Sequence, residues 1–288
     1  MRVILAYDGS QSATLASEMI PQLPAISELT ILTVHERLPS ALWQRMSPEA
    51  RKELTVSLEH EIQNKAEELA EHIQTKWKIP ATSEGLEGRP AEVITKKAKD
   101  INANLVIMGK RGLGGFAGLI MGSVSRSLIH HAPCPILLVS QPTNPPLKVL
   151  CASDGSDQAI GALKFVGKLN LKDASYHLVS AQERRGYFKA QRSIFADELD
   201  QIMADFAQDT GNKSKAILQE ACNTEKVDLD VHQGTEGCGP YLLESAQKVG
   251  ADLMVMGTRG LGAVERFFNG SVSNAVYESY KGNLLLVP

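Results

Sequence analysis

Val3-Ile4-Leu5-Ala6-Tyr7-Asp8-Gly9-Ser10 opens the chain and is met again as Val149-Leu150-Cys151-Ala152-Ser153-Asp154-Gly155-Ser156. Each copy is a short apolar run broken by Asp-Gly-Ser, which reads as a buried strand turning into a helix. Three more blocks repeat in the same order. Leu105-Val106-Ile107-Met108-Gly109 matches Leu253-Met254-Val255-Met256-Gly257. Gly122-Ser123-Val124-Ser125 matches Gly270-Ser271-Val272-Ser273, and Ile136-Leu137-Leu138-Val139 matches Leu284-Leu285-Leu286-Val287. Such ordered self-similarity marks a duplicated module. Between the copies lies Gln141-Pro142-Thr143-Asn144-Pro145-Pro146, whose prolines make an extended, stiff linker. The expected domains are therefore 1–144 and 145–288.

Within the first copy, residues 3–7 and Leu29 to Val34 read as strands. Residues 48–77 read as a helix, with Pro48 in its first turn and an apolar stripe through Leu54, Leu58, Ile62, Ala66, Leu69, Ile73 and Trp77. The stripe serves either packing on a sheet or a partner helix. Pro90 to Ala103 predicts another amphipathic helix, 105–108 a buried strand, 123–130 a helix and 136–139 the last strand. Apolar strands alternating with helices predict an α/β fold with an open parallel sheet covered on both faces. The second copy repeats the plan, with a helix over 190–222 that Gly211 is expected to break or kink.

The loop after the fourth strand carries the chemistry. It reads Gly109-Lys110-Arg111-Gly112, nine residues, then Gly122-Ser123; its twin reads Gly257-Thr258-Arg259-Gly260, nine residues, then Gly270-Ser271. Each leaves a strand and enters a helix, with Ser123 or Ser271 as the expected N-cap. Free amides and the dipole at a helix start favour an anion. Ser123, Ser125, Ser271 and Ser273 can add hydroxyl donors. A tight turn needing glycine for geometry alone is the competing reading. Ligands of such sheets bind beyond the carboxyl ends of the strands, where Asp8 and Gly109 both fall. No Walker loop is present. Gly112-x-Gly114-x-x-Ala117 imitates a dinucleotide fingerprint, but the second copy breaks it and no acidic ribose partner lies at the right distance.

Composition limits the function. A net charge of −3 argues against a nucleic-acid binder. Four cysteines without a Cys-x-x-Cys pair suit thiols in a reducing compartment better than a disulfide framework or zinc site. The first apolar run ends at Asp8, too short for a signal-peptide core, and nothing nears a membrane span. We expect a soluble, cytoplasmic protein. No catalytic constellation or metal-ligand spacing emerges; His130 and His131 read as residues at a helix C-terminus.

These motifs resemble the universal stress protein family in its tandem form. The resemblance rests on the strand-Asp-Gly-Ser opening, the Gly-x2-Gly-x9-Gly-Ser loop and His131-Ala132-Pro133-Cys134-Pro135 before the last strand. It implies two tandem five-stranded parallel sheets flanked by helices, Rossmann-like and of the adenine nucleotide alpha hydrolase kind. The loop looks like that of members that bind ATP, with or without Mg2+. By that resemblance Asp8 and Asp154 lie at the ribose and adenine side, and Val34 meets adenine, with Ala181 its expected counterpart. Backbone amides of Gly112, Gly122, Ser123 and Val124 hold phosphates, as do those of Gly260, Gly270, Ser271 and Val272. Gly109 and Gly257 turn the strand toward the nucleotide. Arg111 and Arg259 stand either as phosphate partners or as solvated loop residues, and Asp8 and Asp154 also suit turn formation. The resemblance further implies an internal pseudo-dimer of the two halves and a homodimer of chains. Lys281-Gly282-Asn283 in place of Pro133-Cys134-Pro135 departs from the family pattern. An ATP-binding stress and signalling module, a slow ATPase and a scaffold with vestigial sites remain the open functions.

Overall fold

A computed structural model describes residues 1–36, 45–110, 122–183, 194–234, 237–258 and 271–288. The chain divides into two compact units, Met1–Pro142 and Thr143–Pro288. The first runs β1 (Arg2–Ala6), α1 (Gln11–Ser17), β2 (Glu28–His35), α2 (Pro48–Trp77), β3 (Ala81–Glu87), α3 (Pro90–Asp100), β4 (Leu105–Gly109), α4 (Ser123–His131) and β5 (Ile136–Val139). The second runs β6 (Lys148–Ser153), α5 (Asp157–Leu169), β7 (Ser175–Glu183), α6 (Ile194–Cys222), β8 (Val227–Gly234), α7 (Cys238–Val249), β9 (Leu253–Gly257), α8 (Ser271–Ser279) and β10 (Asn283–Val287).

Strand order is β3-β2-β1-β4-β5 in the first unit and β8-β7-β6-β9-β10 in the second, with parallel neighbours. Every residue of β4, β5, β9 and β10 is buried, as parallel strands covered on both faces require. The order reverses between β1 and β4, and between β6 and β9, so a crevice opens at each switch point.

Local chemistry sets the helix ends. Ser10 and Ser156 cap α1 and α5, their hydroxyls accepting from Ala13 N (3.1 Å) and Ala159 N (3.3 Å). Pro21 follows α1 closely, and its ring would clash with the carbonyl of Ser17, where α1 stops. Ser47 caps α2 through Ala50 N, and Lys78 closes it in the left-handed conformation.

Three elements depart from the sequence reading. β3 and β8 border their units with mixed polar faces, so neither shows the apolar run by which its inner neighbours are recognised. In α6, Gly211 causes no break, and the helix is continuous from Ile194 to Cys222. A Cβ there would lie 3.0 Å from Val231 Cγ2 and 3.3 Å from Ser180 Cβ, so glycine lets α6 settle onto the sheet.

The duplication lets each unit serve as the other's control. Ile62 of α2 approaches Gly9, and Thr210 of α6 approaches Gly155, so Gln63 and Gly211 hold equivalent places. In the first unit Gln63 Oε1 accepts from Thr33 Oγ1 at 3.1 Å. In the second the helix has no side chain to offer at that place, and the fully buried Ser180 hydroxyl meets no partner among the described residues. Ser180→Ala is therefore expected to leave stability unchanged or raise it by about 1 kcal/mol, whereas Thr33→Val costs about 1–2 kcal/mol. Urea unfolding of the two variants checks the difference; a larger loss from Ser180→Ala than from Thr33→Val would refute it.

Candidate functional site

At the end of β1 the chain turns through Asp8. Its Oδ1 accepts from Ser10 N at 3.1 Å, and Asp154 Oδ1 accepts from Ser156 N at 3.0 Å in the second unit. Gly9 and Gly155 between them have φ of +74° and +82°, a conformation that favours glycine. Each aspartate thus uses one oxygen to hold its turn, in the half-buried mouth of the crevice.

The next strand end lies alongside. Tyr7 N donates to Leu32 O at 2.9 Å, which holds β2 against the Asp8 turn. Val34 pairs in register with Leu86, and Ala181 with His232. Val3 pairs with Leu29 and Val149 with Tyr176, which puts Val34 and Ala181 at the same place in their strands.

Gly109 ends β4 against α1. A Cβ would lie 2.6 Å from Ser12 Oγ and 2.7 Å from its carbonyl carbon. The equivalent Cβ on Gly257 would lie 2.9 Å from the carbonyl carbon of Gln158. These glycines admit the first turns of α1 and α5, a packing role that explains their repetition without reference to a ligand. The same contact joins the Asp8 turn to the end of β4.

The start of α4 differs from expectation. Gly122, with φ −79° and ψ 160°, is the N-cap, and Ser123 is the first helical residue. Ser271 likewise lies within α8. The physical reason is that the cap must be extended, and Gly122 is. Glycine has no side chain with which to accept from the first turn. Among the described residues the amides of Ser123 and Val124 meet no backbone or side-chain acceptor, and no acidic residue lies in that turn.

Other expected donors are used inside the protein. Gly122 N donates to Lys110 O at 3.0 Å. The buried Ser125 hydroxyl points to the carbonyls of Gly109 (3.4 Å) and Lys110 (3.3 Å), and Ser273 donates to Thr258 O at 3.0 Å. Ser125 and Ser273 therefore tie each helix start to its strand end. Val124 and Val272 are half-buried beside them. Arg111, Gly112, Arg259, Gly260 and Gly270 lie outside the described residues.

Sequence reading missed Lys110, only 1% exposed, which follows Gly109 where the second unit has Thr258. Its position after an apolar strand was the available signal. It also missed the stacked rings of His232 and Tyr241, with centroids 3.7 Å apart. His130 sits in the last turn of α4, its pKa lowered by burial and then by His131 and Arg126. Burial pushes the Cys134 thiol up to about 11, far from a nucleophile's range. Among the described residues no group of three or more His, Cys, Asp or Glu could hold a metal ion.

The repeated geometry has a counterpart among known proteins. The model of the universal stress protein family matches residues 1–140 and again 147–288. The chain belongs to the universal stress protein family. It is 36% identical over 140 residues to the "Universal stress protein in QAH/OAS sulfhydrylase 3'region" of Thermus aquaticus, covering 48% of this chain and 96% of that relative. A putative universal stress protein of Staphylococcus aureus strain USA300 is 38% identical over 84 residues, which span 26% of this chain and 51% of that protein. Among solved structures, a universal stress protein of Archaeoglobus fulgidus DSM 4304 aligns over 99% of this chain and 97% of its own (TM-score 0.63, 19% identity). A putative universal stress protein of Pseudomonas aeruginosa UCBPP-PA14 aligns over 99% and 92% (TM-score 0.66, 16% identity). These two share the fold of this tandem universal stress protein. Among its described residues no helix is long and apolar enough to cross a membrane.

Proposed function

We propose that each unit binds an adenine nucleotide, ATP in the first instance, and that occupancy controls the partners or conformation of a stress-response module. The phosphates rest on the first-turn amides of Ser123 and Val124, and in the second unit on those of Ser271 and Val272. The ribose faces Asp8 or Asp154, and the base lies against Val34 or Ala181. The observation that carries this reading is a helix start beside the Asp8 turn with a glycine cap, no acidic residue, and first-turn amides that meet no acceptor among the described residues. Each charge-assisted amide bond contributes about 1.5–3 kcal/mol.

The donor set fits an anion without needing a catalytic group. ATP brings a polyphosphate that Mg2+ can accompany; the chain's own residues bind and orient it. Hydrolysis needs a group that positions water, and nothing at the described site takes that role. Titration calorimetry of the purified chain with ATP, ADP and adenosine tests the reading. We expect binding that weakens as phosphates are removed, with no steady phosphate release. Absence of heat with millimolar ATP overturns the nucleotide reading, and sustained release lost in Ser123→Pro plus Ser271→Pro makes the protein an ATPase.

A further inference from the structure

The two units treat one chemical group differently. In the first, the amide of Gln63 is bound at both ends: Oε1 accepts from Thr33, while Nε2 donates to Glu67 Oε1 (2.9 Å) and Ser83 Oγ (3.3 Å). It is a structural brace between α2 and the sheet. In the second, Gly211 stands at that place and the amide has moved to the strand, as Gln182, where the first unit has His35. Gln182 Nε2 is shielded from solvent and meets no hydrogen-bond partner among the described residues. A buried amide nitrogen left open is costly, and native proteins rarely leave one without a protein partner, a water or a guest.

Its place in the fold indicates the guest. Gln182 follows Ala181 at the end of β7 and shares a strand face with Ser180, the face covered by α6. On that side Thr210 of α6 touches the Asp154 turn at Gly155, and Ser214 bonds Ser153 at 2.9 Å. The open amide therefore lies on the same side of the sheet as the aspartate turn, one residue beyond the position assigned to the base.

Resting on the nucleotide reading above, we propose that Gln182 reads the edge of adenine in the second unit, making that unit the base-selective one of the pair. A carboxamide offers a donor and an acceptor side by side. It matches the amino group and ring nitrogen of adenine and mismatches guanine, whose carbonyl replaces the amino group. His35 in the first unit offers no such pair.

The test follows the backbone amides of Val34 and Ala181 by NMR in the full chain, titrated with ATP and separately with GTP. In the parent chain Ala181 reports tighter ATP than GTP. In Gln182→Leu the ATP:GTP preference at Ala181 falls about tenfold through weaker ATP, with Val34 unaffected. Gln182→Glu, which only accepts, moves the preference further toward GTP. An unchanged ATP:GTP ratio in both variants, or equal weakening of both nucleotides, overturns the role of Gln182 and leaves the nucleotide reading standing. A parent chain in which neither nucleotide shifts either amide overturns both.

Discussion

Ser123→Pro is expected to weaken nucleotide binding by the first unit roughly 10- to 100-fold while leaving the unit folded. Proline is well tolerated at the first helical position because its missing N–H has no intrahelical use there. It also demands an extended residue before it, and Gly122 already has φ −79° and ψ 160°. The substitution therefore removes one donor aimed out of the helix and little else. Ser123→Ala is the control: it keeps the amide and should bind close to the parent. Ser271→Pro should act alike on the second unit, and the double variant should lose ATP-dependent heat in calorimetry. Parent-like affinity in the double variant would show that the helix starts hold no phosphate.

Gly167→Ala should be the most damaging single methyl in the second unit. Helix propensity favours alanine by about 1 kcal/mol. Against this, the new Cβ would sit 2.1 Å from the carbonyl oxygen of Ala221, a contact between the backbones of α5 and α6 that no rotamer change relieves. The clash must part the two helices, at about 3 kcal/mol or more, a large share of the 5–15 kcal/mol that holds a typical domain. Gly161→Ala in the same helix meets nothing within 4 Å and should stabilise by about 0.5–1 kcal/mol. Thermal and urea unfolding of the pair settle the matter. Equal effects of the two substitutions would mean that α5 and α6 are not in backbone contact.

The sites show how far residue patterns reach. The Asp-Gly-Ser turns, the strand ends and the start of α4 were legible because each depends on neighbours in sequence: a carboxylate two residues from an amide, an apolar run, a glycine before a helix. The same patterns misplaced the cap at Ser123, since serine's preference for caps says nothing about which residue is extended. Gly109 and Gly257 read as the glycines that turn the strand toward the nucleotide, and the structure adds a task in packing against Ser12 and Gln158. That task depends on a helix reaching a strand far along the chain, which no local pattern encodes.

By itself the sequence determined the duplication, the parallel α/β plan and the places where helices begin, because these rest on periodicity and short-range chemistry repeated twice. The tertiary structure alone decided which donors remain open. Gly122 N, Ser125 Oγ and Ser273 Oγ are used up within the fold, whereas Gln182 Nε2 meets no partner among the described residues. The reason is that a polar group's availability is set by what packs against it, and its partners come from elements separated in sequence. Gln63 and Gly211 hold equivalent positions in the repeat, yet only the packing of α2 and α6 on their sheets makes one a brace and the other a gap.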